Sequence, residues 1–225
     1  VWANHMKKNF INLGASPRNI YVRPRGIDTK LFNYIGNFAQ IPTLVCTRGM
    51  YEQYGYDKII ESLYILKFKN SIDFKCFFIG NGPYKETLLN MVEKKALDKN
   101  IIFPGKIDNE YLPEFLQRAH IYISLPQTEG LSASLLESMS CGCVPIVSNI
   151  PGNQELINSG KNGFLVDREN AVEIAEKILF TIKNPDFRKN VGFENKKLIV
   201  KNFNIEKNIK KFIDKYSELI ENTNE

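Results

Sequence analysis

Short apolar runs alternate with helical patterns along most of this chain. Residues 43–47, 74–79, 101–103, 121–125, 144–148 and 163–166 are strand-length runs of apolar or β-branched residues, bounded by Gly, Pro, Asn or Asp. Between and after them, residues 57–68, 83–97, 112–119, 132–140, 170–183 and 186–220 carry apolar positions at helical spacing, the last stretch broken near Phe203. Continuous apolar strands, each followed by a helix, indicate a parallel sheet covered on both faces. Upstream, residues 1–13 read as a helix ending at Gly14, residues 20–22 as a short strand, Pro24 to Asp28 as a turn, and residues 33–41 as a linker leading to Pro42. The expected fold is therefore α/β: a Rossmann-like parallel sheet flanked by helices over residues 43–203. Residues 1–42 read as the tail of another domain plus a linker, and residues 204–225 as a closing helix.

Composition narrows this picture. The length of 225 residues fits one or two domains. No apolar run is long enough to span a bilayer. The first residues, Val1 to Lys8, lack the features of a signal peptide and read as a helix already under way, as expected of a piece of a longer chain. Cys46 and Cys76 fall in strand-like runs, and Cys141 and Cys143 are spaced too tightly for the usual zinc arrangements. Free thiols in a reducing cytoplasm are the expectation. The net charge is +5, and most lysines read as solvated surface. Lys196, Lys197, Lys201, Lys207, Lys210 and Lys211 form a basic C-terminal stretch suited to peripheral contact with an anionic membrane. Aromatic stacking clusters and nucleic-acid motifs are missing, so no nucleic-acid partner is expected.

In an open parallel sheet, ligands bind beyond the carboxyl ends of the strands. Three segments fall there. Thr47-Arg48-Gly49 follows the first strand, where an arginine can fork onto a phosphate. Gly80-Asn81-Gly82-Pro83 follows the second; its glycines allow close backbone approach, yet Lys85 occupies the third glycine position of a dinucleotide fingerprint, and alone the segment reads as a plain strand-to-helix turn. The third runs Glu129-Gly130-Leu131-Ser132-Ala133-Ser134-Leu135-Leu136-Glu137. Ser132 fits a helix N-cap, the amides near Leu131 and Ser132 would face an anion, and Glu137 could accept hydrogen bonds from vicinal ribose hydroxyls. The plainer alternative is a solvent-facing Glu137 and a Glu129 that only caps its loop.

Taken together and in this order, the segments resemble the C-terminal, donor-binding half of a GT-B glycosyltransferase of the retaining family 4 type. The resemblance covers residues 20–203. It rests on Ile20 to Asp28 with Phe32, on Ile79-Gly80-Asn81-Gly82-Pro83, on Phe103-Pro104-Gly105, and on the E-x7-E element from Glu129 to Glu137 with Met139 and Cys141-Gly142. Pro145, Gly152, Glu155 and Gly163-Phe164-Leu165-Val166 continue it. The resemblance implies a UDP-, GDP- or ADP-sugar donor, without metal or other cofactor. The sugar would pass with retention to a glycan or lipid-linked acceptor held by an N-terminal domain. The setting it implies is cell-envelope polysaccharide synthesis, in the cytoplasm at the inner face of the membrane. It further implies that Arg48 binds the donor diphosphate and Glu129 the sugar hydroxyls. Gly130, Leu131 and Ser132 would present amides, Glu137 would bind the ribose, and Gly105 and Lys106 would lie beside the base. Gly80, Asn81, Gly82 and Tyr54 complete the expected donor site.

The chain departs from the family pattern at three site positions. Tyr54 stands where the family carries Lys, Ser132 replaces a common Gly, and Ser134 a common apolar residue. Lys58, Arg23 or Arg25 are the candidates for restoring the missing charge. Tyr51, Tyr54 and Tyr56 could line the cleft mouth but read first as loop packing; His120 reads as structural or exposed, and His5, in the entry helix, as bland. Two alternatives stand beside the enzyme reading. One is a non-catalytic nucleotide-sugar-binding subunit that needs a separate acceptor-domain partner. The other, a nicotinamide oxidoreductase, shares the sheet but lacks the glycine fingerprint and an acidic residue ending the second strand.

Overall fold

The computed structural model describes residues 1–221, so the last four residues of the helix expected over 204–225 lie outside the described residues. Six parallel strands form its centre: β1 (Thr43–Cys46), β2 (Lys75–Ile79), β3 (Ile101–Gly105), β4 (Ile121–Ser124), β5 (Val144–Ser148) and β6 (Phe164–Val166). Their order across the sheet is β3-β2-β1-β4-β5-β6. The helices are α1 (Asn4–Asn12), α2 (Tyr56–Tyr64), α3 (Lys85–Lys94), α4 (Leu112–Arg118), α5 (Ala133–Ser140), α6 (Pro151–Gln154), α7 (Ala171–Lys183), α8 (Pro185–Asn202) and α9 (Ile205–Glu221).

Successive strand residues point to opposite faces, and each face has its own apolar core. Leu44, Cys46, Ile121, Ile123 and Ile146 pack with Ile59, Ile60 and Leu63 of α2 and with Ile174 and Ile178 of α7. Val45, Tyr122 and Val147 pack on the other side with Leu116 of α4, Leu135, Leu136 and Met139 of α5, and Ile199 of α8. Each fully buried Leu or Ile side chain stabilises the fold by about 1.5–3 kcal/mol relative to exposure. All four cysteines are buried and free. No described helix is long and apolar enough to cross a membrane.

Three local features differ from the sequence expectation. Residues 20–22 do not form a strand; they follow a 3-10 turn at Pro17–Asn19 and lie beside the chain start. Val1 N donates to Tyr21 O and Arg23 N donates to Val1 O, so this segment pairs with residue 1 and not with the sheet. The helix expected over 57–68 ends at Tyr64 and widens into a π-turn at Ile65–Lys69, closed by Asn70 N donating to Ile65 O at 3.2 Å. The short helix α6 has no counterpart in the sequence pattern. The break near Phe203, by contrast, is present and has a cause. Ile27 N donates to Phe203 O at 2.8 Å and Ile205 N donates to Ile27 O at 2.9 Å, which turns residues 203–205 into a strand-like bridge between α8 and α9. Gly26 is needed beside it, since a Cβ there would stand 2.5 Å from Ile205 Cα.

His120, just before β4, is buried and structural. Its Nδ1 accepts from Thr43 N at 3.0 Å, and its ring stacks on Phe38 with centroids 5.2 Å apart. Burial, and then the nearby Arg188 charge, push its pKa down to about 4. The unfolded chain, with an ordinary histidine near 6.5, binds the proton first. Stability is therefore full above pH about 6.5 and is lost as pH falls towards 4. His120→Asn should remove this dependence, because an amide oxygen keeps the acceptor without titrating. Urea midpoints for both proteins at pH 7.5 and pH 4.8 check this; a wild-type-minus-variant difference that does not change with pH would refute it.

Candidate functional site

The strand order reverses direction at β1, which lies between β2 and β4. Crossovers leave it to opposite sides, opening a crevice beyond the carboxyl ends of β1 and β4. Arg48 enters the crevice from β1. The segment Glu129 to Ser132 enters from β4, and Ser132 is the N-cap residue of α5. The loop carrying Glu129 is fixed from behind. A Cβ on Gly152 would collide with the carbonyl oxygens of Glu129 and Gly130, so α6 lies directly against this backbone.

Arg48 is the centre of the polar contacts. Its Nη2 forms an ion pair with Glu129 Oε2, both side chains being largely covered at 13% and 22% exposure. Its Nη1 donates to Ser132 Oγ at 3.0 Å and to Ser134 Oγ at 3.1 Å. The ring of Tyr54 lies over the guanidinium, 4.4 Å from Cζ to centroid. Arg48 Nε and the adjacent Thr47 Oγ1 are buried without a hydrogen-bond partner. The Ser132 hydroxyl is drawn towards Arg48 and Ser134, leaving its cap bond to Leu135 N at a long 3.4 Å.

The N-terminus of α5 is open. Among the described residues, the backbone N–H groups of Gly130, Leu131 and Ser132 donate to nothing. Three unsatisfied donors at the positive end of a helix dipole make a place for an anion. Glu137, little more than one turn along, is half-buried rather than solvent-facing. Its carboxylate has no hydrogen-bond or ion-pair partner among the described residues. Burial raises its pKa, against the opposing charges of Arg25 and Arg48. A desolvated carboxylate left without a partner favours a ligand that donates hydrogen bonds.

The remaining expected residues are placed as follows. Gly80, Asn81 and Gly82 end β2 and pack on the loop after β1. Met50 N donates to Asn81 O at 3.0 Å, a Cβ on Gly80 would strike Arg48 O, and one on Gly82 would strike the Met50 backbone. Contact between two protein loops thus accounts for both glycines. Gly105 ends β3 with φ +83° and open space around it, and Lys106 is exposed beside it. Lys58 is engaged by Glu61 at 3.6 Å and Glu169 at 3.7 Å. Arg23 lies between the rings of Trp2 and Phe212. Neither supplies charge beside Arg48; Arg25 acts on Glu137. His5 is not bland: Glu155 accepts from Asn4 N, His5 N and the His5 ring, joining the start of α1 to the residue after α6.

Sequence reasoning gives Tyr122 no reading, takes Ser134 only as a departure from the family pattern, and reads Tyr56 as loop packing. Tyr122 OH donates to Ser134 Oγ at 3.0 Å and Tyr56 OH donates to Arg48 O at 2.8 Å. A tyrosine inside the buried strand run Ile121-Tyr122-Ile123 is the available signal, since a buried hydroxyl needs a partner. Two cavities of about 290 and 280 Å³ share no residue with this crevice; the larger is lined by Arg23, Asn202, Asn208 and Lys211, and the smaller by Asn162, Asn195 and Lys201. Among the described residues there is no group of three or more His, Cys, Asp or Glu placed to hold a metal ion.

The comparisons bear on the family and the fold. An uncharacterised glycosyltransferase of Methanocaldococcus jannaschii is 28% identical over 225 residues, covering 96% of this chain and 56% of the relative. The putative colanic acid biosynthesis glycosyltransferase WcaL of Salmonella typhimurium is 27% identical over 187 residues, covering 79% of this chain and 45% of the relative. The chain thus spans about half the length of the curated relatives it matches. Among solved structures, HepE of Anabaena in complex with UDP superposes with a TM-score of 0.85 at 16% identity, over 96% of this chain and 62% of that one. The family model for glycosyl transferases group 1 matches residues 35–198. With its sheet order, its crevice and this match, the chain belongs to the glycosyl transferases group 1 family and corresponds to the C-terminal domain of the GT-B fold.

Proposed function

We propose that the crevice binds a nucleotide-sugar and that the full protein transfers the sugar, with retention, to a glycan or lipid-linked acceptor in cell-envelope polysaccharide synthesis. One observation carries the reading. Arg48, the N–H groups of Gly130, Leu131 and Ser132 without a protein acceptor, and Glu137, on which the Arg48 charge acts, come together at the strand switch. A diphosphate fits the cation and the helix N-terminus, and a ribose diol fits the carboxylate. Glu129, beside Arg48, takes sugar hydroxyls. Asn81, with Gly80 and Gly82, lines the phosphate side, and Gly105 and Lys106 lie towards the base. In the transfer, the bond from the anomeric carbon to the diphosphate oxygen breaks while the acceptor oxygen bonds to that carbon on the same face. The acceptor proton passes to the leaving phosphate. Arg48 and the amides stabilise the charge that develops there. UDP in the related HepE structure makes a UDP-sugar the first donor to test. The basic stretch Lys196 to Lys211 would face anionic lipid at the inner side of the membrane.

Titration calorimetry of the 225-residue chain with UDP-, GDP- and ADP-glucose tests the reading. One nucleotide should bind, and Glu137→Gln should weaken it about tenfold to a hundredfold, the scale of hydrogen bonds to a charged group. A folded chain that binds none of the three would defeat the proposal. Unchanged affinity in Glu137→Gln would remove Glu137 from the ribose.

A further inference from the structure

The three site positions at which this chain departs from the family pattern, Tyr54, Ser132 and Ser134, all touch one group, the Arg48 guanidinium. We infer that they act together as a positioning cradle, which holds a single arginine in a fixed orientation in place of a second cation. The inference rests on the donor-site reading above.

Tyr54 cannot supply charge to a diphosphate. Its ring covers one face of the guanidinium instead, and a ring face attracts a cation while leaving the in-plane N–H groups free for hydrogen bonds. Ser132 and Ser134 receive the two bonds from Nη1, and their hydroxyls lie 3.0 Å apart. Ser134 is itself aimed by Tyr122, which is buried in β4. The backbone oxygen of Arg48 is held by Tyr56. Tyr54 is fixed in turn by Gly55, at φ +65°, where a Cβ would stand 2.7 Å from Leu125 O. Tyr51 packs edge-on against Tyr54 at 6.4 Å. The Arg48 guanidinium is thus held from α5 and from the Tyr54 turn, and its backbone oxygen from α2. A free arginine side chain loses rotamer entropy on binding, and prior orientation lowers that loss. Lys58 and Arg23 are committed elsewhere and Arg25 acts on Glu137, so beside Arg48 itself orientation stands in place of added charge.

Tyr54 is then a positioning residue, and its ring matters where its hydroxyl does not. Two measurements test this. In ¹⁵N-arginine NMR of the ligand-free chain, the Arg48 Nε–H should be shifted by the ring current and protected from exchange. Both signatures should persist in Tyr54→Phe and disappear in Tyr54→Leu. In calorimetry with UDP, Tyr54→Phe should bind like wild type and Tyr54→Leu about tenfold more weakly, the scale of one desolvated cation–π contact. Ser134→Ala combined with Tyr54→Leu should cost less than the two singles multiplied, because both act through Arg48. If Tyr54→Phe is as weak as Tyr54→Leu, the hydroxyl touches the ligand directly and the cradle is wrong. If Tyr54→Leu changes neither the NMR signal nor the affinity, it is wrong too. A wild-type chain that ignores UDP counts against a uridine donor alone, and the NMR series still decides the cradle.

Discussion

Arg48→Met is expected to weaken nucleotide binding by about a hundredfold or more while the chain remains folded. The loss has two sources. Hydrogen bonds from a charged donor to phosphate contribute roughly 1.5–3 kcal/mol each, and the thioether makes none of them. The Glu129 carboxylate, 22% exposed, would also lose its cation and stand uncompensated beside the arriving diphosphate. The double variant Arg48→Met with Glu129→Gln separates these effects. Removing both charges should restore most of any lost stability, since a buried pair replaced by neutral groups is often nearly neutral in free energy. It should not restore binding. Calorimetry with UDP and urea unfolding of wild type and the two variants measure both quantities. Binding by Arg48→Met within threefold of wild type would show that the phosphate lies elsewhere.

The second large effect is expected at Gly152. An added Cβ would meet the carbonyl oxygens of Gly130 and Glu129, and the Gly130 carbonyl carbon at 3.0 Å. These are backbone atoms and cannot rotate aside. Alanine in place of glycine would otherwise favour α6 by up to about 1 kcal/mol. Overpacking against rigid atoms costs about 1–3 kcal/mol or more and outweighs that gain. Gly152→Ala should therefore lower the urea midpoint and also weaken UDP binding, because the atoms displaced belong to the loop that carries Glu129 and the open amides. Gly160→Ala is the control. Its φ of +82° makes alanine unfavourable, but a Cβ there meets nothing within 4 Å, so stability should fall without a change in affinity. A Gly152→Ala protein as stable as wild type would show that α6 yields freely.

Much of the fold could be read from residues alone. The buried strands announce themselves because both faces of a parallel sheet are covered, so their residues must be apolar throughout. Residues 20–22 show the limit of that signal: three apolar or aromatic positions have strand composition, but a strand also needs a neighbour, and composition does not report one. The E-x7-E spacing likewise marked the loop-to-helix junction, and Ser132 does start α5. Spacing could not say that Glu137 would be half-buried without a partner. It could not say that two glycines after β2 would be used for contact with Met50 and Arg48.

By itself, the sequence determined the α/β architecture, the strand-end positions of Arg48 and Glu129, and the presence of an uncharged Tyr at position 54, because periodicity and residue identity are local properties. Only the tertiary structure decided that Tyr54, Ser132, Ser134 and Glu129 all meet the same guanidinium. They lie 6 to 86 positions from Arg48 along the chain, and what joins them is the placement of β1 against β4, a long-range pairing that no local pattern encodes.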